Sequence, residues 1–196
     1  MAEGFVGQVL WRGEPGYEEA RCAAVWNGRK PTRYPDVIVQ AQDDEDVVAA
    51  VSLAKQRGMK IGIRSGGHSW AATFLRDGGL LLDLSRMTAF TVDVDPRTAV
   101  IQPGLKGVDL NRALRGQDLF FRSGHCMSVG LGGFLRQGGF GWNSRLWGPA
   151  CCHIRGMDIV TADGERVHAD EAENAELFWA ARGAGPGFFG VVTRFH

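Results

Sequence analysis

The sequence predicts an α+β protein, with parallel strands in its first part and an antiparallel sheet with helices in its second part. In the first third of the chain, short apolar runs alternate with a helical pattern, the order typical of β–α–β units. From residue 80 onwards, apolar runs follow one another with turn signals between them, as in antiparallel pairs. The 28 glycines are clustered rather than periodic, which excludes a collagen-like repeat and a flexible linker.

The first part is predicted to form a helix, a strand, a second helix and a second strand. Residues 16–28 carry small apolar side chains at helical spacing, and RYPDVIVQAQ gives a strand at residues 37–39. The clearest helix lies in DDEDVVAAVSLAKQRG, because acids lead it, apolar residues recur on one face and Gly58 ends it. The next strand lies in MKIGIRS. The two strands are therefore predicted to be a parallel pair joined by a crossover helix.

The second part is predicted to alternate strands with short helices. Strands are expected in GLLLDLSRM, FTVDVDPRTAVIQPG, GMDIVTADGERVHA and GFFGVVTRF. Helices are expected in VDLNRALRGQ and NAELFWAARG. Between them lies the glycine-rich segment GHCMSVGLGGFLRQGGFGWNSRLWG, residues 124–148, which is expected to lack regular structure. A segment of this kind inside a compact domain is usually functional.

The charge balance and the hydropathy pattern argue against several classes of partner. The 22 Lys and Arg residues equal the 22 Asp and Glu residues, so no signature of a nucleic-acid or membrane-surface partner is present. No stretch approaches the roughly 20 apolar residues of a membrane span, and the N-terminus lacks the pattern of a signal peptide. We therefore expect a soluble, cytoplasmic protein whose four cysteines need form no disulfide.

The stretch RSGGHSW, residues 64–70, is the first candidate site because it follows the second predicted strand. Two glycines permit a sharp turn or a close approach of the backbone to another group. One interpretation is a tight turn that carries a surface histidine. The other is a backbone nest whose amides bind a phosphate, while His68 faces a cofactor or a substrate. Ligands of open α/β sheets favour this carboxyl edge of the strands.

The glycine-rich segment is the second candidate, because its bare backbone could lie against a flat ring. The relevant glycines are at positions 130, 132, 133, 138, 139 and 141. The Rossmann fingerprint GxGxxG fails here, since Leu135 stands where the third glycine is required. One match occurs at Gly185, Gly187 and Gly190, but it follows a helix and precedes a strand, the reverse of the required order.

A metal site and a hydrolase triad are weaker alternatives. The adjacent side chains of CCH, residues 151–153, point apart, and no pair of cysteines has zinc spacing, so we predict no metal. No Ser–His–Asp arrangement has support, and His153, His168 and His196 are expected to be ordinary surface or hydrogen-bonded histidines. The side chains that could have formed such a zinc site are His125, Cys126, Cys151, Cys152 and His153.

Three motifs taken together resemble one family. RSGGH, then GHCMSVGLGGFLRQGGFGWNSRLWG, then ELFWAARGAGPGFFGVVTRF are similar in order and spacing to the flavin domain of the berberine-bridge-enzyme-like oxidases. These belong to the vanillyl-alcohol-oxidase/para-cresol-methylhydroxylase group of flavoproteins. The resemblance runs from about residue 33 to the end of the chain. It implies two α+β subdomains, residues 1–88 and 89–196, with FAD held between them.

The resemblance also implies roles for individual residues. His68 matches the histidine bonded to the flavin 8α-methyl carbon, and Cys126 matches the cysteine bonded to flavin C6, so FAD would be attached bicovalently. Val129 matches a small aliphatic gate over the flavin face that admits oxygen, which favours an oxidase over a dehydrogenase. The implied cofactor-binding residues are Arg64, Ser65, Gly66, Gly67, His68, Ser69, Cys126, Val129, Gly130, Gly132, Gly133, Gly138, Gly139, Trp142, Asn143, Gly190, Val191 and Val192.

The implied reaction removes a hydride from a C–H bond beside oxygen or nitrogen of a small-molecule substrate, and O2 then reoxidises the flavin. The family's substrate-binding domain, which carries the catalytic base, is absent from this chain, so no base is named. We expect a second chain with the substrate-binding half, or a longer enzyme of which this is a piece; the alternative is a noncatalytic flavin-binding or assembly subunit. Phe134, in place of a polar residue, and Pro186 in GAGPGFFG depart from the family pattern.

Overall fold

The computed structural model describes residues 4–196, which form two β-sheets and the helices around them. The strands are β1 (Gln8–Trp11), β2 (Val37–Gln40), β3 (Ile61–Arg64), β4 (Leu80–Asp83), β5 (Phe90–Asp93), β6 (Thr98–Ile101), β7 (Gly156–Val160), β8 (Arg166–Asp170) and β9 (Val191–Phe195). The helices are α1 (Tyr17–Ala23), α2 (Asp44–Gln56), α3 (Gly107–Leu114), α4 (Leu131–Arg136), α5 (Ser144–Trp147) and α6 (Ala175–Ala181).

The first sheet has the strand order β1-β2-β4-β3 and is mostly parallel. β2 and β3 both run parallel to β4, while β1 runs antiparallel to β2. The prediction that β2 and β3 pair with each other is wrong, because β4 lies between them. The side chains of residues 80–82 are buried, as expected for a strand covered on both faces, and this places β4 in the interior of the sheet.

The first strand was not predicted from the sequence, and a buried carboxylate explains how it is held. Asp46 lies in the first turn of α2 and is completely buried. Its two oxygens accept hydrogen bonds from Val6 N at 2.7 Å, Gly7 N at 2.9 Å and Gln42 N at 2.8 Å. Three backbone donors thus compensate the charge, and the two from Val6 and Gly7 fix the segment that leads into β1.

The second sheet has the order β5-β6-β9-β7-β8 and is antiparallel throughout, as predicted. The apolar face of α2 lies between the two sheets. Val47, Ala50 and Val51 of α2 share one buried cluster with β2 and β4 of the first sheet. Val160 and Val191, from the second sheet, belong to the same cluster. The two sheets are therefore packed through one helix, and the α+β fold class is confirmed.

The glycine-rich segment is more regular than predicted. It contains α4 and α5, followed by a 3-10 turn at Ala150–His153. Leu131 and Leu135 are four residues apart, and both are buried in the core of the second sheet. This apolar pair gives α4 a buried face despite the two glycines between them, so the expectation of an irregular segment is wrong. Within residues 4–196, no helix is both long enough and apolar enough to cross a membrane.

Candidate functional site

A cavity of about 460 Å³ lies where the two sheets meet. Its first wall is the end of β3 together with the loop over residues 64–70. Its second wall runs from Val129 into α4, and the third consists of residues 185–188 and the side chains of Val192 and Phe195 on β9. The volume falls within the range of small-molecule and cofactor sites. The cavity therefore lies at the carboxyl end of β3, the edge that the sequence predicted.

The loop after β3 is anchored by a buried ion pair. Arg64 Nη1 donates to Asp83 Oδ1 at 2.7 Å, and Arg64 Nε donates to the carbonyl oxygen of Ala24 at 3.1 Å. The Arg64 and Asp83 side chains are 12% and 3% exposed. Gly67 has a φ of +70°, and a Cβ there would lie 2.2 Å from the same Ala24 oxygen. Glycine is required at this position for both reasons.

Two of the predicted glycine motifs contact each other directly through their backbones. A Cβ at Gly66 would lie 2.5 Å from Gly130 N, and one at Gly130 would lie 2.8 Å from Gly66 Cα. A Cβ at Gly132 would lie 2.7 Å from Pro103 Cβ and 2.8 Å from Ser65 Oγ. These glycines are therefore required so that the RSGGH loop and the glycine-rich segment can contact each other. The sequence alone did not provide this reason.

His68 lies in the cavity wall with its ring held on two sides. Its Nε2 is 2.9 Å from Ser128 Oγ, and its ring stacks on Trp26 with centroids 4.7 Å apart and an interplanar angle of 24°. Burial lowers the pKa of His68 below its usual value of 6.5, so the imidazole is neutral near pH 7. Ser128 is two residues from Cys126, and the hydrogen bond therefore brings the two predicted attachment segments together.

Most of the predicted cofactor residues line this cavity, and six do not. Cys126 is exposed, and Trp142, also exposed, lies against the His125 ring at 4.2 Å. Gly190 packs against Ile159 and Phe188. The predicted residues that line the cavity are Arg64, Ser65, Gly66, Gly67, His68, Ser69, Val129, Gly130, Gly132, Gly133, Gly139 and Val192. Those outside its lining are Cys126, Gly138, Trp142, Asn143, Gly190 and Val191.

Arg136, at the end of α4, also lines the cavity and was not predicted from the sequence. One terminal nitrogen of its guanidinium donates to Gly185 O at 2.7 Å, and the group lies 4.7 Å from the centre of the Phe188 ring. Burial lowers the pKa of Arg136 to about 10, and its Nε is buried without a hydrogen-bond partner in residues 4–196. A single cation within the apolar run LGGFLR was the available signal.

The charges that line the cavity are all positive. Arg64, Arg76 and Arg136 contribute to its walls, and no Asp or Glu of the described part of the chain does so. Among the described residues, Arg64 is the one of these three with a carboxylate partner, Asp83, which does not line the cavity. Bare glycine backbone together with uncompensated cations fits a flat, anionic ligand. FAD has both properties, since its ring system is planar and its diphosphate is negatively charged.

His153, His168 and His196 are hydrogen-bonded, as predicted. His168 Nδ1 lies 2.8 Å and His196 Nε2 lies 3.1 Å from Asp158 Oδ1. The hydrogen bond to Asp158 raises the pKa of His168. Burial raises the pKa of Asp158, but the hydrogen bonds from the two histidines outweigh it, so the net shift is downward. His153 Nε2 is 3.1 Å from Trp147 O.

Comparison with known proteins agrees with this interpretation of the cavity. Residues 35–170 match the model of the FAD binding domain family. The chain is 46% identical to the FAD-linked oxidoreductase nodO of Hypoxylon pulicicidum over 190 residues, which is 95% of this chain and 42% of that protein. The chain thus spans less than half the length of this relative.

Two solved structures extend the similarity to the fold. 6-hydroxy-D-nicotine oxidase from Arthrobacter nicotinovorans superposes with a TM-score of 0.91 at 33% identity, covering 100% of this chain and 43% of the oxidase. BBE-like 1 of Physcomitrella patens gives a TM-score of 0.90 at 31% identity, covering 99% of this chain and 42% of that one. The fold, the glycine-lined cavity and these similarities together place the chain in the FAD-binding domain family, among the berberine-bridge-enzyme-like FAD-linked oxidoreductases.

Proposed function

We propose that this chain is the flavin-binding part of an oxidase and that it holds FAD covalently through His68 and Cys126. The observation that carries the proposal is the hydrogen bond between His68 Nε2 and Ser128 Oγ at 2.9 Å. It connects a histidine in the cavity wall to the segment that contains the cysteine. FAD, when bound, supplies the hydride-accepting chemistry.

His68 is suited to form a bond to carbon. Its lowered pKa keeps the imidazole neutral, so one of its two ring nitrogens has a free lone pair. When Nε2–H donates to Ser128, the lone pair is on Nδ1, which has no hydrogen bond among residues 4–196. We therefore assign the covalent bond to Nδ1, which would replace one C–H bond of the flavin 8α-methyl group. The proton of that C–H bond and the imidazole N–H proton would pass to solvent, and the electron pair would pass through the flavin to O2. Stacking on Trp26 fixes the plane of the ring and so the direction of that lone pair.

Cys126 and Val129 are close because the chain turns between them. Val129 N donates to Cys126 O at 3.1 Å, so Cys126 is one short turn away from a residue that lines the cavity. The Val129 side chain is packed against Gly124, where an added Cβ would lie 2.8 Å from it. A fixed valine leaves more room over the flavin face than an isoleucine would, and this supports O2 as the electron acceptor.

The substrate site is proposed to be completed outside residues 4–196. No carboxylate of these residues lines the cavity, so they supply no acidic candidate for the catalytic base there. Phe120, Phe140, Trp142 and Leu146 expose 51–85% of their surface around the glycine-rich segment. An exposed apolar surface of this kind favours packing of another part of the enzyme against it, either further residues of a longer chain or a second chain. A cytoplasmic location remains a prediction.

Acid precipitation of the full-length polypeptide, purified after growth with ample riboflavin, tests the proposal. We expect yellow colour in the wild-type pellet, because a covalent flavin cannot be extracted. His68→Ala and Cys126→Ala should each keep one bond, whereas the double variant should release all flavin to the supernatant. His153→Ala and Cys152→Ala are the matched controls and should behave as wild type. Complete extraction of flavin from the wild-type protein would contradict the proposal.

A further inference from the structure

Arg136 is a cation in the cavity wall whose charge has no partner within the described residues. Two contacts restrain its guanidinium: the hydrogen bond to Gly185 O at 2.7 Å and the ring of Phe188 at 4.7 Å. Its Nε is buried and makes no hydrogen bond to any of residues 4–196. A buried donor on a charged group that remains unsatisfied is costly. The positive charge of Arg136 is therefore uncompensated within the described residues, and it lies in the wall of the cavity.

We propose that Arg136 binds a phosphate group of FAD, which makes it a cofactor-binding residue in addition to those inferred from the family. This inference rests on the assignment of the cavity to FAD. The occupant has to be anionic, because the lining has Arg64, Arg76 and Arg136 and no carboxylate from residues 4–196. Arg64 is already paired with Asp83, and Arg76 is exposed to solvent. Arg136 is thus the lining arginine that is both partly buried and without a carboxylate partner among residues 4–196.

The position of Arg136 on its helix indicates a phosphate rather than an acidic group on a substrate. Gly132 and Gly133 lie four and three residues before Arg136, so each is its neighbour on the surface of α4, and all three line the cavity. At Gly132 this face lies against Ser65, where an added Cβ would be 2.8 Å from Ser65 Oγ, in the loop for which the sequence suggests a phosphate-binding backbone nest. A guanidinium presents donors in a planar fork that matches the oxygens of a phosphate.

The proposal predicts opposite effects on the empty and the loaded protein. A neutral side chain at position 136 removes an uncompensated charge, so the flavin-free protein should become as stable as wild type or more stable. The same change removes a partner of the phosphate, so binding of FAD should weaken. A residue that merely packs the cavity wall would instead lower the stability of the flavin-free protein.

The test compares FAD with riboflavin, which has the same ring system and no phosphate. Both ligands are titrated against the full-length polypeptide in a His68→Ala/Cys126→Ala background, where binding is reversible, by the change in flavin fluorescence. Arg136→Gln should weaken FAD binding by about tenfold or more and leave riboflavin binding unchanged. Arg136→Lys should retain part of the FAD affinity. Arg112→Gln, at an exposed arginine outside the cavity lining, is the control and should change neither.

Three results would overturn the assignment. Equal weakening of FAD and riboflavin by Arg136→Gln would show a packing role, and no weakening of either would show that the cation contacts no phosphate. A background protein that binds FAD no better than riboflavin would also exclude a phosphate contact. Covalent attachment is decided separately, by the acid-stable colour of the wild-type protein, so one hypothesis can fail without the other.

Discussion

Asp83→Ala is the perturbation whose effect on the site can be followed furthest from the structure. The change removes the carboxylate that pairs with Arg64 at 2.7 Å and also accepts from Ser85 N at 2.9 Å. Since both charged side chains are largely buried, an unpaired Arg64 would stay in a poorly solvated position. Removing one partner of a buried ion pair costs about 3–5 kcal/mol, and we expect the lower end because 12% of the Arg64 side chain is exposed.

The same change should also disturb the loop that carries His68. With no carboxylate in place, the Arg64 side chain is expected to leave Ala24 O, the atom beside which Gly67 is fitted. We therefore predict that Asp83→Ala lowers the fraction of protein that carries flavin, in addition to lowering the free energy of unfolding. Urea titration measures the free energy, and the ratio of flavin to protein absorbance measures the flavin content.

Two further variants make the test of the ion pair specific. Replacing both partners by apolar residues, Arg64→Met with Asp83→Leu, should destabilise the protein far less than Asp83→Ala, because no charge is left unpaired. Asp109→Ala breaks the exposed pair with Arg112 at 2.9 Å and should cost less than about 1 kcal/mol. A cost for Asp83→Ala as small as that of Asp109→Ala would refute the reasoning.

Three other variants test separate features. Gly66→Ala should prevent flavin incorporation because its Cβ would lie 2.5 Å from a backbone nitrogen. Gly116→Ala, in open space, should incorporate flavin normally. The same ratio of flavin to protein absorbance in the two variants would contradict this. Ser128→Ala should slow covalent attachment, followed as acid-stable absorbance over time, and an unchanged rate would rule out a role for its hydroxyl. The raised pKa of His168 means that its protonated pair with Asp158 stabilises the fold fully below pH 6.5, and this contribution is lost as the pH rises through the raised value. His168→Gln should therefore destabilise the protein more at acidic than at alkaline pH in urea titrations, and a cost that does not depend on pH would contradict the pair.

Much of the fold could be predicted because hydrophobic periodicity reports burial directly. Helix α2 and strands β2, β3 and β9 lie where their apolar patterns indicated. The position of β4 could not be predicted, because strand order depends on how the chain returns after the RSGGH loop. Strand β1 was missed because its attachment depends on Asp46, a residue distant in sequence whose burial is visible only in the fold.

The parts of the candidate site that consist of consecutive residues could be predicted from the sequence. RSGGH and the segment from Val129 into α4 form two walls of one cavity, as the motifs indicated. Ser128 and Arg136 were missed because each acts through a neighbour far away in sequence, His68 in one case and Gly185 with Phe188 in the other. The reason for glycine at position 66 was also hidden, since it lies in a backbone contact with Gly130.

Peptide mapping by mass spectrometry tests the central claim most directly. Trypsin cleaves after Arg64, Arg76, Arg122 and Arg136, so His68 falls in residues 65–76 and Cys126 in residues 123–136. If FAD is bonded to both side chains, the wild-type protein will yield these two peptides joined through one flavin, and each single alanine variant will yield one flavin-bearing peptide. Recovery of both peptides at their unmodified masses from yellow wild-type protein would contradict the account.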